Sequence, residues 1–317
     1  MQTRPYQRRS VLGLMAGGVA AGAFGLGSAQ AQETVPWSTG TEKPKHKAPP
    51  NAVDCHHHIY DQRWPLDPHS TVHQDDATVA DYRLLQKRIG TARNVVIQPS
   101  AYGIDNTGLI EVLGEFGTKT TRAVAVVNAE VTDAELDRLH QAGVRGIRFN
   151  LASPGGATSI EMVDPLTKRI APRGWHIQLN MTAEQIAANA ALWDRVPCSV
   201  VFDHLGHLPQ PDGTKNPAFG VISTLLKKGK GWVKLSGLYA DTKLGPPYKD
   251  SDAVARAYLS VAPAQLVWGS DWPHPTEKAD NKPDDALLFD LFMQEAREPA
   301  LQKRILVTNP ERLYGFS

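Results

Sequence analysis

From Val53 onward the chain alternates short β-branched, apolar runs with amphipathic stretches, eight times over. The candidate strands are 53–59, 93–100, 122–128, 144–151, 175–181, 199–205, 232–237 and 265–271. Most are apolar at successive positions, the pattern of strands covered on both faces and therefore of a parallel sheet. Parallel neighbours need crossovers, and the intervening segments supply helices. DYRLLQKRI puts Tyr82, Leu85 and Ile89 on one face, and TGLIEVLGEF does the same with Leu109, Val112, Leu113 and Phe116. Thr132 with Glu135 and Thr182 with Gln185 read as capping boxes, Gly143 as a helix stop and Pro283 as the first residue of the last barrel helix. Eight strand–helix units in about 250 residues predict one (β/α)8 barrel, spanning residues 51–317. Two smaller α/β domains are the alternative, but no Pro- or Ser-rich linker interrupts the middle of the chain.

Connections from helix to strand are short, as in Gly90-Thr91-Ala92 and Ala142-Gly143. Connections from strand to helix are long: 60–77, 206–217, 238–250 and 272–283. In a (β/α)8 barrel those long loops share the carboxyl end of the strands, where function sits.

The residues ahead of the barrel read differently. QRRSVLGLMAGGVAAGAFGLGSAQA has a basic start, a weakly apolar Gly-rich middle and a small-residue end at Ala29-Gln30-Ala31. Residues 1–31 are thus expected to be a cleavable export signal. Arg8-Arg9 followed by Leu12 resembles the twin-arginine type, which implies a periplasmic destination. The glycines and the small-residue end favour cleavage over a stable membrane anchor. Residues 32–50, Pro- and Lys-rich, read as an extended tether. Cys55 and Cys198 are both expected to be buried on strands that are not neighbours, so no bridge is expected. The formal net charge is +1, with no basic run, which argues against nucleic acid or a membrane surface as the main partner.

Alternation of strand side chains puts Asp54, His56 and His58 on one face and Cys55 and His57 on the other. The triple histidine is then a His-x-His pair at the barrel mouth, with His57 packed outward. The sixth strand ends in Asp203-His204, followed by Gly206 and His207, and the eighth runs into WGSDWPHP with Asp271. His56, His58, His204 and Asp271 therefore converge from three strands on one end, which packing alone does not account for. Ser100, Tyr102 and Asn106 follow strand two, Arg148 ends strand four, Asn180 ends strand five, and Lys234, Ser236 and Tyr239 lie on or after strand seven. Of these, Arg148 best suits a substrate carboxylate or sulfonate, because its planar fork matches an anion. Its alternative role is to bridge strands, and Lys234 could equally point into the core floor.

Asp-x-His-x-His on strand one, Asp-His-x-Gly on strand six and Gly-Ser-Asp-Trp-Pro on strand eight resemble the amidohydrolase superfamily. The segments VVIQPSAYGIDN, GVRGIRFN, WHIQL, WVKLSGLY, GPPY and NPERLYGF resemble the branch containing pyrone-dicarboxylate lactonase, sulfomuconolactone hydrolase and galactarolactone isomerase. The resemblance covers residues 52–317.

That resemblance implies a hydrolase opening a small, anionic lactone. Lactone isomerisation, in which a substrate hydroxyl replaces water, is the alternative; a zinc-dependent amidohydrolase and a binding protein on an inactive barrel are others. Hydrolytic members of the superfamily usually hold zinc through the His-x-His pair, histidines on strands five and six, and the strand-eight aspartate. Here His176 starts strand five, Asn180 stands near its end, and strand four offers Arg148 and Asn150 instead of a bridging lysine. A binuclear site is not expected. Because the branch includes enzymes that work without metal, no cofactor is favoured; the alternative is one Zn on His56, His58 and Asp271, with or without His204. In the metal-free form Asp271 is the general base, and His56, His58 and His204 polarise the carbonyl. One departure bears on the substrate. Where the pyrone lactonase carries an arginine after its strand-seven Ser-Gly, this chain has Ala240, with Lys243 at a different spacing.

Overall fold

The eight apolar runs pair as parallel strands in sequence order: β1 Val53–His57, β2 Arg93–Ile97, β3 Thr121–Ala125, β4 Val144–Asn150, β5 His176–Asn180, β6 Val200–Phe202, β7 Gly231–Leu235 and β8 Leu266–Trp268. The computed structural model describes residues 34–72, 74–152 and 157–317. Residues 1–31, expected to be an export signal, lie outside them. Closure of the barrel comes just past β8, where His58 N donates to Trp272 O at 2.8 Å and Asp271 N donates to His56 O at 2.8 Å. Among the described residues no helix is long and apolar enough to cross a membrane.

The outer layer follows the expected crossovers. Helix α1 (Val79–Ile89) buries Tyr82, Leu85 and Ile89, and α2 (Thr107–Phe116) buries Leu109, Val112 and Leu113. In α3 (Asp133–Ala142) Thr132 accepts from Glu135 N, but the Glu135 carboxylate pairs with Arg138 instead of closing the box. The crossovers continue with α4 (Val163–Ile170), α5 (Ala183–Ala188), α6 (Ala190–Arg195), α7 (Pro217–Lys227) and α8 (Lys249–Val261). Thr182 and Gln185 form the complete capping box at the start of α5, and Gly143 ends α3 in the left-handed region. The last barrel helix, α9, spans Asp285–Glu295 with Asp284 as its cap. Pro283 therefore precedes the helix rather than opening it, and its carbonyl accepts from Thr39 N at 3.0 Å.

Inside the barrel, Val53, Cys55, Val95, Ile97, Val124, Val201 and Val267 form an inner core, closed below by Leu313, Tyr314 and Phe316. His176 sits at this floor, its ring edge-on to Tyr314 at 5.2 Å. Cys198 is buried in the bend before β6 and not on the strand. Residues 34–50 form no helix or strand, and they are held along the barrel. Val35 and Ala48 are buried, Arg88 donates to the carbonyls of Thr39 and Glu42, and Trp272 donates to Pro36 O.

The strands end earlier than their apolar runs, because the backbone turns away at the carboxyl end. Among the described residues, five of the eight non-glycine residues with positive φ (His204, Leu205, His207, Asp271 and His274) lie in the turns after β6 and β8. Each such position costs on the order of 1–3 kcal/mol and persists only where the surroundings fix it.

Candidate active site

A bulge in β1 sets the histidines. Val53 pairs with Arg93 and Asp54 with Asn94, but the next partner of Val96 is His57, three residues on against two. The extra residue resets the alternation. Cys55 and His56 both point inward, while Asp54 points to the helix layer, where Tyr82 donates to its Oδ2 at 3.0 Å. The expectation that Asp54 shares the face of the His pair is thereby overturned. His57 does turn outward: its ring stacks on Tyr82 at 3.5 Å and meets Asn94 Oδ1 at 3.0 Å. Asp54 accepts from Ser270 N, Ser270 Oγ and His56 N, tying β1 to the end of β8. Burial pushes its carboxyl up to about 6, partly offset by those donors. Gly269 permits this approach, since a Cβ there would lie 2.6 Å from His56 Cβ.

Asp271 lies in the turn after β8 with φ 64°. Its Oδ1 is 3.4 Å from His56 Nε2, 3.7 Å from His58 Nε2 and 3.7 Å from His204 Nε2. Its Oδ2 accepts from Tyr239 at 2.5 Å. Burial alone would raise this carboxyl; the imidazoles of His204, His58 and His56 outweigh it and hold Asp271 well below the ordinary carboxylate range. Burial takes His204 down to about 4 against the pull of Asp271 and Asp203. His204 is steadied by Ser236, whose Oγ is 3.0 Å from Nδ1. His58 is fixed by a carbonyl: its Nδ1 lies 2.9 Å from Ile97 O. A carbonyl only accepts, so Nδ1 carries the proton and Nε2 of neutral His58 is an acceptor. Neutral His58 therefore cannot donate to an oxyanion from Nε2, which narrows the role expected of it.

Above these groups is a cavity of about 120 Å3, lined by His58, Tyr60, Ser100, Arg148, Asn150, Asn180, His204, His207 and Asp271, with Ala240 and Thr276 at its edge. Arg148 both faces the cavity and bridges strands, its Nε donating to Asp203 Oδ2 at 3.0 Å. Asn150 donates to Ser100 Oγ at 2.5 Å, Asn180 donates to Asn150 Oδ1 at 2.8 Å, and His207 Nε2 is 2.7 Å from Asn180 Oδ1. Three expected substrate residues lie elsewhere. Tyr102 spends its hydroxyl on the backbone of Asp61, and Asn106 spends its amide on Val126 and Ile104. Tyr239 stands behind Asp271, its hydroxyl also 3.0 Å from His274 Nδ1. Beneath the cavity is a buried charged layer. Asp203 Oδ2 accepts from Arg148 and Gln178, and Lys234 Nζ donates to Gln178 Oε1 at 2.7 Å and lies 3.2 Å from His56 Nδ1. Burial takes Lys234 down to about 8, with Asp203 opposing the shift. The signal for Asp203 was its place beside His204 in the Asp-His-x-Gly motif.

The donor spacing fits a metal ion. A tetrahedral zinc with arms of about 2.0–2.2 Å sets its donors roughly 3.3–3.6 Å apart, and His56 Nε2, His58 Nε2 and Asp271 Oδ1 are 3.2, 3.4 and 3.7 Å from one another. His56, His58 and Asp271 would hold it, with His204 alongside, and it would lend Lewis acidity to a substrate carbonyl.

A closed eight-stranded barrel with a carboxylate among three imidazoles at its carboxyl end defines a (β/α)8 enzyme of acid–base or metal-assisted chemistry. The chain belongs to the amidohydrolase family, whose model matches residues 53–316. It is 34% identical over 293 residues to 2-pyrone-4,6-dicarboxylate hydrolase of Comamonas testosteroni, covering 88% of this chain and 94% of that one. It is 28% identical over 277 residues to D-galactarolactone isomerase of Agrobacterium fabrum, covering 86% and 94%. A crystal structure of an Agrobacterium tumefaciens protein in its apo form superposes with a TM-score of 0.82 at 28% identity, covering 89% of this chain and 99% of that one.

Proposed function

We propose that the protein is a hydrolase that opens a small lactone, with Asp271 as general base. One observation carries this reading: Asp271 is held ionised at the cavity, with Oδ1 facing three imidazole nitrogens within 3.7 Å. Water beside Asp271 gives up a proton to Oδ1 as its oxygen bonds to the ring carbonyl carbon. The carbonyl oxygen becomes an oxyanion, stabilised by the His204 imidazole, which faces the cavity with its Nδ1 held at Ser236. The ring C–O bond then breaks, and the departing oxygen takes the proton from Asp271, giving a free acid and a hydroxyl. The similarity to a 2-pyrone-4,6-dicarboxylate hydrolase at 34% identity and to a 4-sulfomuconolactone hydrolase at 30% supports the same reaction class.

The cavity also bears on the substrate. Arg148 uses Nε on Asp203, which leaves its two Nη groups for one carboxylate. Ser100, Asn150, Asn180, Ala240 and Thr276 are uncharged, which suits hydroxyls better than a second anionic group. That rim also supports a second reading, lactone isomerisation, in which Asp271 deprotonates a substrate hydroxyl. Incubation of purified protein with sugar-acid lactones and muconolactones in 18O-water separates the two. Hydrolysis puts one 18O into the product carboxylate; ring migration puts in none. Turnover of no lactone in the panel would remove both.

We infer further that residues 1–31 direct export to the periplasm by the twin-arginine route, supported by Arg8-Arg9 and the Ala29-Gln30-Ala31 end. Replacing both arginines by lysine should leave unprocessed protein in the cytoplasm. Processed periplasmic protein from that variant would overturn the route.

A further inference from the structure

The metal-ligand spacing at the first-strand histidines conflicts with the layer beneath them. A neutral imidazole has one donor and one acceptor nitrogen. His58 Nε2 is an acceptor, because Nδ1 donates to Ile97 O. His56 Nε2 is 3.2 Å from it. Two facing lone pairs at that distance repel, so a proton or a cation must lie between them. Protein groups alone meet the requirement if His56 carries its proton on Nε2, and this makes His56 Nδ1 an acceptor. Nδ1 has two neighbours. Lys234 Nζ, which can only donate, is 3.2 Å away in hydrogen-bonding geometry. Asp203 Oδ1, which would accept from the opposite tautomer, is 3.3 Å away, yet accepts no hydrogen bond from a described residue.

We propose that Lys234 is a positioning residue that fixes His56 as its Nε2–H tautomer, so the His-x-His pair presents one donor and one acceptor instead of two metal-binding lone pairs. The proton order runs Lys234 Nζ–H to His56 Nδ1, His56 Nε2–H to His58 Nε2, and His58 Nδ1–H to Ile97 O. Lys234 is itself held by Gln178 Oε1 at 2.7 Å and is fully buried, so the donor cannot swing away to solvent. One consequence follows. Zinc binding would require the His56 proton to move to Nδ1, toward Asp203, against the Lys234 ammonium. The assignment concerns proton positions and holds whichever lactone the cavity takes.

The test is a long-range 1H–15N spectrum of metal-stripped full-length protein labelled at histidine, with His56 assigned by comparison with a His56→Gln variant. The expected His56 signal is that of a neutral ring protonated on Nε2. A ring protonated on Nδ1, or on both nitrogens, overturns the proposal without touching the lactone reading. In Lys234→Met the His56 proton should move to Nδ1, and titration with zinc alone should show at least about tenfold tighter binding, the range in which outer-shell partners act. Lys234→Arg, which keeps a donor, should keep the wild-type tautomer. A folded Lys234→Met protein with the wild-type tautomer and unchanged zinc affinity would also overturn it. The wild-type spectrum decides the tautomer even where neither variant folds.

Discussion

Tyr239 donates its hydroxyl hydrogen to Asp271 Oδ2 at 2.5 Å, while Oδ1 of the same carboxylate faces His56, His58 and His204. One oxygen is thus tethered and the other is left to act. Hydrogen bonds to charged groups contribute about 1.5–3 kcal/mol, and a donor to the ionised form lowers a carboxyl pKa. Tyr239→Phe should leave the fold intact, lower kcat by about tenfold as the carboxylate loses its orientation, and shift the acid limb of kcat/KM up by about 1 pH unit. An unchanged limb would mean that Asp271 is not the titrating base.

Asp271→Asn keeps the shape and removes the proton acceptor. General-base catalysis contributes about 10²–10⁴-fold, so turnover should fall by that much, with circular dichroism and thermal midpoint nearly unchanged. Near-normal turnover would remove Asp271 from the chemistry.

The barrel and its four central groups were legible in sequence because both rest on local pattern. Continuous apolar runs mark parallel strands, and His56, His58, His204 and Asp271 all stand at strand ends. The bulge was not legible. It is a mismatch between β1 and β2 that alternation along one strand cannot reveal, so Asp54 was placed on the wrong face. Tyr102 and Asn106 failed for another reason: both lie in the turn after β2, and the backbone of neighbouring loops takes up their polar groups, Asp61 after β1 for Tyr102 and Val126 after β3 for Asn106. Asp203 and His204 are adjacent, and strict alternation would send only one inward. Both serve the site because the chain turns at His204 with φ 46°. Lys234 was placed on a strand, but nothing local said that His56 lay within its reach.

Arg148 and Asp203 form a buried ion pair at 3.0 Å. Removing one partner of such a pair costs about 3–5 kcal/mol, because the other charge stays buried. Arg148→Met should therefore lower the thermal midpoint and raise KM for lactones carrying a carboxylate more than for neutral ones. Arg148→Met combined with Asp203→Asn should recover part of the stability but not the KM for anionic lactones. Equal KM changes for both classes of lactone would assign Arg148 to the scaffold alone.

His176 separates stability from catalysis, since it lies at the barrel floor against Tyr314. Burial takes its pKa from 6.5 to about 3, with Lys234 adding to the shift and Asp203 opposing it. Below pH 6.5 the unfolded chain binds a proton that the folded chain refuses. The stability His176 allows at neutral pH is thus lost progressively as pH falls from 6.5 toward about 3. At pH 5 the loss from this one residue is about 2 kcal/mol. His57, lowered to about 3 mainly by burial, adds to the acid sensitivity in the same direction. Urea unfolding at pH 7 and pH 5 should show the drop in wild type and a drop smaller by about 2 kcal/mol in His176→Leu. A His176→Leu protein that loses as much stability as wild type over that interval would show that the ring is already protonated in the folded state.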